Sequence, residues 1–259
     1  MPALPLIIGH RGASALLPEN TLESFRLAFE KFDAGAIEFD VHFSRDRIPV
    51  VLHDATLERT TDGHGFASRY TFSELRTLDA GFYFDPKKNR SFPYRGKRFQ
   101  IPSLEEVFSH FKAKTLAVEI KDKSAELVHE VMGLIQKYKA EHCIVGSKHF
   151  LVSNTLHKHY PRQARFLSQR EIVQNFIASR VSKIPEGKDP GAVASMPLEG
   201  CGMHFDDPGF LDWLRRKEIK IYFWTINDPQ EIRRLAAAGV DGIITDHPGT
   251  GRQALGPLN

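Results

Sequence analysis

A chain of 259 residues with 41% hydrophobic and 26% charged residues has the make-up of a globular protein with one large core, and its length matches an eight-stranded α/β barrel. The formal charge is +3 with Lys and Arg scattered among Asp and Glu, which argues against a nucleic-acid partner, and no apolar run approaches the length of a membrane span. Cys143 and Cys201 lie far apart without metal-ligand spacing, so a disulfide framework is not implied, and with a first strand already starting near Leu6 the expected location is the cytoplasm.

That first strand ends in His10-Arg11-Gly12. Asn20-Thr21-Leu22-Glu23 then has the cap-and-Glu pattern of a helix start, and Leu22, Phe25, Phe29 and Phe32 recur on one helical face. In the strand beginning at Ala36, alternation sends Glu38 and Asp40 to one face and Ile37, Phe39 and Val41 to the other. Pro49 to His53 returns after too few residues for a parallel crossover, so it forms an antiparallel hairpin with that strand. With Asp46-Arg47 as a two-residue loop, Ser44 faces Pro49 and His53 faces Asp40. Residues 54–102 are irregular and rich in Gly, Thr, Arg and aromatics, with one short helix predicted over Thr71 to Leu78 behind a Thr-x-x-Glu box. Such a segment is either a lid over a site or a plug packed by Phe82, Tyr83, Phe84, Phe92, Tyr94 and Phe99.

From Ser103 onward helices and short apolar strands alternate. The strand candidates are Leu116 to Lys121, Cys143 to Ser147, Ala164 to Ser168, Gly202 to Phe205, Ile219 to Ile226 and Gly242 to Asp246. One helix between them carries Leu127, Val131, Leu134, Ile135 and Tyr138 on a single face, and another is bounded by Asp228-Pro229 and Gly239. Val181 to Glu199 gives no clear element. With the strands at Leu6 and Ala36 the parallel candidates number eight, the number that closes a barrel. The expected fold is therefore an α/β TIM (β/α)8 barrel with an extra antiparallel hairpin strand, an insertion at about residues 54–102, and one domain over residues 1–259.

In such a barrel the site lies at the C-terminal strand ends. Val118-Glu119-Ile120-Lys121 turns Glu119 and Lys121 inward, so three carboxylates, Glu38, Asp40 and Glu119, meet. They would repel one another without a cation, and all-oxygen ligation suits one Mg²⁺ or Ca²⁺ better than Zn²⁺. Arg11 and Lys121 beside that cation make an anion site fit for phosphate, and His10 and His53 can move protons on and off oxygen. His42 points the same way as Asp40 and is a candidate support; His204 and Asp246 lie at strand ends and are candidate ligand contacts.

His10-Arg11-Gly12, Pro18-Glu19-Asn20-Thr21, Glu38-Phe39-Asp40-Val41, Pro49-Val50-Val51-Leu52-His53-Asp54, Arg59-Thr60-Thr61-Asp62-Gly63, Leu78-Asp79-Ala80-Gly81, Glu119-Ile120-Lys121 and Trp224-Thr225-Ile226-Asn227 occur in order along nearly the whole chain. Together they resemble the glycerophosphodiester phosphodiesterase family. The resemblance implies a phosphatidylinositol-phospholipase-C-like barrel, a divalent metal on Glu38, Asp40 and Glu119, and His10 and His53 as the acid–base pair. It also implies Arg11 and Lys121 on the phosphate, Trp224 against the substrate's glycerol, and residues 54–102 as the family's insertion. The sequence departs from the pattern at Arg47, where the hairpin usually carries Gly, and in the bulk of Ser147-Lys148-His149-Phe150. The expected activity is hydrolysis of glycerophosphodiesters to sn-glycerol 3-phosphate and an alcohol. The alternatives are a lysophospholipase D or cyclising phosphodiesterase on the same scaffold, or a non-catalytic phosphodiester-binding barrel. Arg59, Arg69, Lys97 and Arg98 among the aromatics of the insertion, and the lack of a lipid anchor, lead to the expectation of a small polar substrate.

Overall fold

The computed structural model describes residues 4–182, 187–200 and 202–256. Its strands are β1 (Leu6–His10), β2 (Ala36–Phe43), β3 (Pro49–Val51), β4 (Thr115–Ile120), β5 (Cys143–Gly146), β6 (Arg165–Phe166), β7 (Ala192–Met196), β8 (Glu199–Gly200), β9 (Met203–His204), β10 (Lys220–Phe223) and β11 (Gly242–Thr245). The parallel order β1-β2-β4-β5-β6-β7-β10-β11 closes on itself through the β1–β11 pair. β3 hangs antiparallel on the outside of β2, and β8 and β9 form a separate two-stranded hairpin.

Around this barrel lie α1 (Leu22–Arg26), which runs into a π-helical turn over Leu27–Lys31, then α2 (Phe72–Leu75), α3 (Leu104–Phe111), α4 (Ala125–Tyr138), α5 (Phe150–His159), α6 (Gln169–Val181), α7 (Pro208–Arg216), α8 (Pro229–Ala237) and α9 (Pro248–Leu255). It is a TIM (β/α)8 barrel. Phe25, Phe39, Phe108 and Val118 are fully buried between the sheet and its outer helices on one side, as are Phe210, Ile221 and Leu235 on the other. Each such side chain contributes roughly 1.5–3 kcal/mol relative to exposure.

Inside the barrel one residue from each parallel strand forms a buried layer: Ile8, Ala36, Ala117, Ile144, Phe166, Val193, Tyr222 and Ile244. Side chains two positions further along a strand point the same way. The next layer toward the C-terminal ends thus contains His10, Glu38, Glu119, Ser195, Trp224 and Asp246, and this displacement by two residues positions the site.

Two local expectations are corrected. The Gly202 to Phe205 stretch is not a barrel strand: Met203–His204 pairs antiparallel with Glu199–Gly200, and Gly202 sits in the connection at φ +73, a conformation that Gly adopts readily. The missing barrel strand is β7, inside the Val181 to Glu199 stretch. Its outward residues Ala192 and Ala194 are small and poor strand formers, so the burial that holds them carries no propensity signal.

The β2–β3 hairpin is one residue out of the expected register. Phe43 pairs with Pro49, and Leu52 rather than His53 lies opposite Asp40, its amide donating to the Asp40 carbonyl at 3.0 Å. The loop has three residues, Arg45 to Arg47, closed by the Ser44 amide donating to the Ile48 carbonyl. Asp46 holds it, accepting from the Ser44 hydroxyl at 2.6 Å and the Phe72 amide at 2.9 Å. Arg47 occupies the left-handed position at φ 64, stacks on the Phe43 ring and pairs with Glu126, contacts a Gly could not make.

The segment between β3 and α3 builds a small core from Leu52, Leu57, Ala67, Leu75 and Ile101 against Val50. Helix α2 is shorter than the predicted Thr71 to Leu78, though its Thr71–Glu74 capping box is formed. Farther out, Arg95 lies over the rings of Phe82 and Phe92 at 4.2 and 4.5 Å.

Candidate active site

Glu38, Asp40 and Glu119 each offer an oxygen within 4.8 Å of the others. Parallel pairing of β2 with β4 sets Asp40 beside Glu119. Burial pushes the Glu38 carboxyl well above the ordinary carboxylate range, and the charges of Asp40 and Glu119 push it further. Its Oε2 is buried with no hydrogen-bond partner. Asp40 is 1% exposed, yet its carboxyl stays below the usual range because burial is outweighed by Lys121 and Arg11. Lys121 Nζ lies 2.9 Å from Asp40 Oδ1 and 2.7 Å from Glu119 Oε2; Arg11 Nε is 3.4 Å from Asp40 Oδ2, and Asn20 Nδ2 donates to the same oxygen at 3.1 Å. A carboxylate trio with an orphaned buried oxygen fits a hard divalent cation.

Both histidines rest a carboxylate on Nδ1. His10 Nδ1 lies 2.7 Å from Asp246 Oδ1, and Asp246 also accepts from Ser14 Oγ at 3.0 Å and Asn227 Nδ2 at 2.7 Å. These partners overcome burial and hold the Asp246 carboxyl down at about 2. His53 Nδ1 lies 2.6 Å from Asp54 Oδ1. Burial lowers the pKa of the His53 ring against the pull of Asp40. In each case Nε2 is the nitrogen left for the cavity.

His53 does not reach the site by strand alternation, because β3 ends at Val51 and the chain leaves the ladder after Leu52. Its backbone carbonyl is held instead by His42 Nε2 at 3.1 Å, and His42 Nδ1 is in turn held by Asp122 at 2.6 Å. His42 is thus a support beneath His53. Glu19 accepts from Arg11 at 2.8 Å, while Arg59 bridges Glu19 and Asp54. The loops that carry Arg11 and His53 are thereby tied together.

His10, Arg11, Glu38, Asp40, His53, Glu119, Lys121 and Trp224 all line one cavity of about 390 Å³ at the C-terminal mouth of the barrel. Such a pocket can seat a small anion between cations with a histidine on each side.

Residues 10–250 match the model of the glycerophosphoryl diester phosphodiesterase family. The chain belongs to that family. A glycerophosphodiester phosphodiesterase of Caldanaerobacter subterraneus is 31% identical, the match covering 95% of each chain. The glycerophosphoryl diester phosphodiesterase domain of a Mycobacterium tuberculosis protein superposes with a TM-score of 0.86 at 22% identity, covering 97% of this chain and 99% of that one. An Oleispira antarctica phosphodiesterase, solved in complex with the product sn-glycerol-3-phosphate, is 26% identical with a TM-score of 0.73 and 98% of each chain covered.

Within this phosphodiesterase fold His204 falls away from the site: it lies on the β8–β9 hairpin, 75% exposed, with Glu199 3.8 Å from its ring. Trp224 is 43% exposed at the mouth, so the barrel is filled by Tyr222 beneath it and not by the indole. Asp54, Asn227, Asp122 and Glu19 had no role assigned from sequence, although the first two and Glu19 stand in the family motifs and Asp122 directly follows Lys121. The far wall of the cavity, which no sequence motif marked, carries Leu167, Val173, Met196, Met203 and Phe205.

Proposed function

We propose that this phosphodiesterase hydrolyses glycerophosphodiesters to sn-glycerol 3-phosphate and an alcohol with one Mg²⁺ or Ca²⁺ held by Glu38, Asp40 and Glu119. Residues 1–259 act as one catalytic unit, the insertion at 54–102 bracing it. The observation that carries this reading is the three-carboxylate cluster flanked by two histidines, each anchored at Nδ1 by its own carboxylate. When bound, the cation would neutralise the carboxylates and polarise a phosphoryl oxygen. Arg11 and Lys121 bind the phosphate's remaining charge, and Trp224 packs against the glycerol. His10 takes the proton from the attacking oxygen through Nε2, and His53 gives a proton to the departing alcohol on the opposite side of phosphorus. A phosphodiester-binding barrel without catalysis would have no use for both anchored histidines.

The test is release of glycerol 3-phosphate from glycerophosphocholine after chelation and after restoring Mg²⁺ or Ca²⁺. Activity is expected to vanish and return, and Glu119→Gln should abolish it in a protein that still folds. Undiminished metal affinity in Glu119→Gln, by calorimetric titration, would overturn the ligand assignment.

A further inference from the structure

The cations of the cavity are not equally engaged. Arg11 donates to Glu19 at 2.8 Å and lies 3.4 Å from Asp40, and Lys121 Nζ is held between Asp40 and Glu119 at 2.9 and 2.7 Å. Lys148 lines the same cavity, yet it pairs with no carboxylate among the described residues. It follows the buried Ser147 on the turn from β5 to α5, so β5 delivers it to the rim beside β4, the strand that leads Glu119 and Lys121 into the site. That turn, Ser147 to Phe150, is where the sequence departs from the family pattern.

Two further basic groups share this rim. His149 is half-buried against the Lys121 backbone, and burial first, then the charges of Lys148 and Lys123, lower the pKa of its ring. Lys123 is exposed and, among the described residues, has no ion-pair partner either. Glu119 acts on His149 in the opposite sense, but Lys121 already holds it. An unpaired ammonium at the mouth of a cleft attracts anions, the more so where an apolar wall such as Leu167 and Val173 keeps its field from spreading. The bare phosphodiester carries a single negative charge, which Arg11 and Lys121 meet. Lys148 is surplus to that task, and a second anion on the substrate gives it a partner.

The position of Lys148 decides which arm bears that anion. His10 rests on Asp246, on the β11–β1 side of the mouth. His53 is held over β2 by His42, which is itself bound by Asp122 just beyond β4. In the sheet order β1-β2-β4-β5, Lys148 lies on the His53 side, away from His10. We propose that Lys148, with His149 and Lys123 adding to the positive rim, forms a subsite for an anionic group on the departing alcohol. The preferred glycerophosphodiesters are then those whose head group carries a negative charge of its own, such as a carboxylate. The choice of arm rests on the proposed function, in which His53 is the acid and the alcohol departs past it. The reaction is the same hydrolysis. Water adds to phosphorus, the bond from phosphorus to the head-group oxygen breaks, and that oxygen takes the proton from His53. Glycerol 3-phosphate and the charged alcohol are released.

The test compares glycerophosphoethanol, glycerophosphoethanolamine and glycerophosphoglycolate, whose two-carbon departing arms end neutral, cationic and anionic. kcat/KM is measured for the full-length metal-loaded enzyme and for Lys148→Gln and Lys148→Glu, both at an exposed position. The intrinsic leaving ability of each alcohol is the same for every enzyme, so a change in the glycolate-to-ethanol ratio isolates the charge. An ion pair at an open rim is worth up to about fivefold, so the ratio is expected to fall at least about threefold in Lys148→Gln, through KM, and further in Lys148→Glu. In Lys148→Glu the ethanolamine compound should also gain on the ethanol one. A smaller fall in an enzyme active on all three would refute the anion subsite and leave the proposed function standing. Hydrolysis of none of the three would refute the proposed function itself. The ethyl diester of 3-phosphoglycerate, with its carboxylate on the retained arm, is the control for direction: if Lys148→Gln slowed this compound and spared the glycolate one, the assignment of the departing arm to Lys148 would be overturned.

Discussion

His10 and His53 look alike at the residue scale, each with a carboxylate on Nδ1 and Nε2 free for chemistry, but they are braced differently. Asp246 is fixed by Ser14 and Asn227, and Asn227 Oδ1 accepts from Thr245 Oγ1 and the Asp246 amide, so the His10 side is rigid barrel rim. Asp54 is fixed by Arg59 on the insertion. Division of labour between the rings can be read from leaving-group dependence, because an acid matters less when the leaving group is already stable as an anion. His53→Ala is expected to lose about 10²–10⁴-fold on glycerophosphocholine and far less on a nitrophenyl phosphodiester, whereas His10→Ala should lose heavily on both. If the nitrophenyl substrate rescued His10→Ala and left His53→Ala inactive, the roles would be exchanged. Glu38, Asp40, Glu119 and Lys121 were legible because β2 and β4 are regular strands whose alternation can be counted. The partners of the histidines were not. His10 and Asp246 stand 236 positions apart, and only closure of β11 onto β1 brings them together.

At the scale of elements, capped helices and strands with an apolar run were legible, the two-residue β6 among them, and β7 was not. β2 and β4 show unbroken apolar alternation, and α4 and α8 carry both their apolar faces and their end signals. β7 carries no such signal, so barrel closure rather than local preference defines it. The hairpin register failed for a related reason: the loop is held by Asp46 binding Ser44 and the Phe72 amide, the latter a contact from 26 residues away. Where a cap is local, its effect is calculable. Ser168 caps α6 in a reciprocal box with Glu171, which also reaches Arg165 at 2.9 Å. Ser168→Ala should destabilise the fold by about 1 kcal/mol in urea denaturation, with the m-value unchanged.

For the whole molecule, the carboxylate cluster sets function against stability. Burial first, and then Asp40 and Glu119, raise the Glu38 carboxyl well above its unfolded value. For a carboxyl raised on folding, stability is fully present below the unfolded pKa of about 4.5 and is lost as pH rises through the folded pKa. The metal-free protein therefore loses this contribution on the alkaline side, unlike the usual acid-sensitive carboxylate. Asp40 and Asp246, both held below the ordinary range, act in the opposite sense, and their contributions disappear only in acid. Between about pH 5 and about pH 8, above the ordinary carboxylate range, they add no slope. Comparison with Glu38→Gln cancels what His53 contributes over the same interval. In the presence of chelator the variant is expected to melt progressively above the wild type as pH rises across that interval, by about 2–4 °C for each kcal/mol removed. A divalent cation should reverse the order, raising the wild-type melting temperature more at pH 8 than at pH 5 because it binds the ionised cluster, and leaving Glu38→Gln nearly unmoved. Equal displacement of the variant at both pH values in chelator would mean that Glu38 is ionised throughout, and the cluster would then have to be balanced by Lys121 and Arg11 alone.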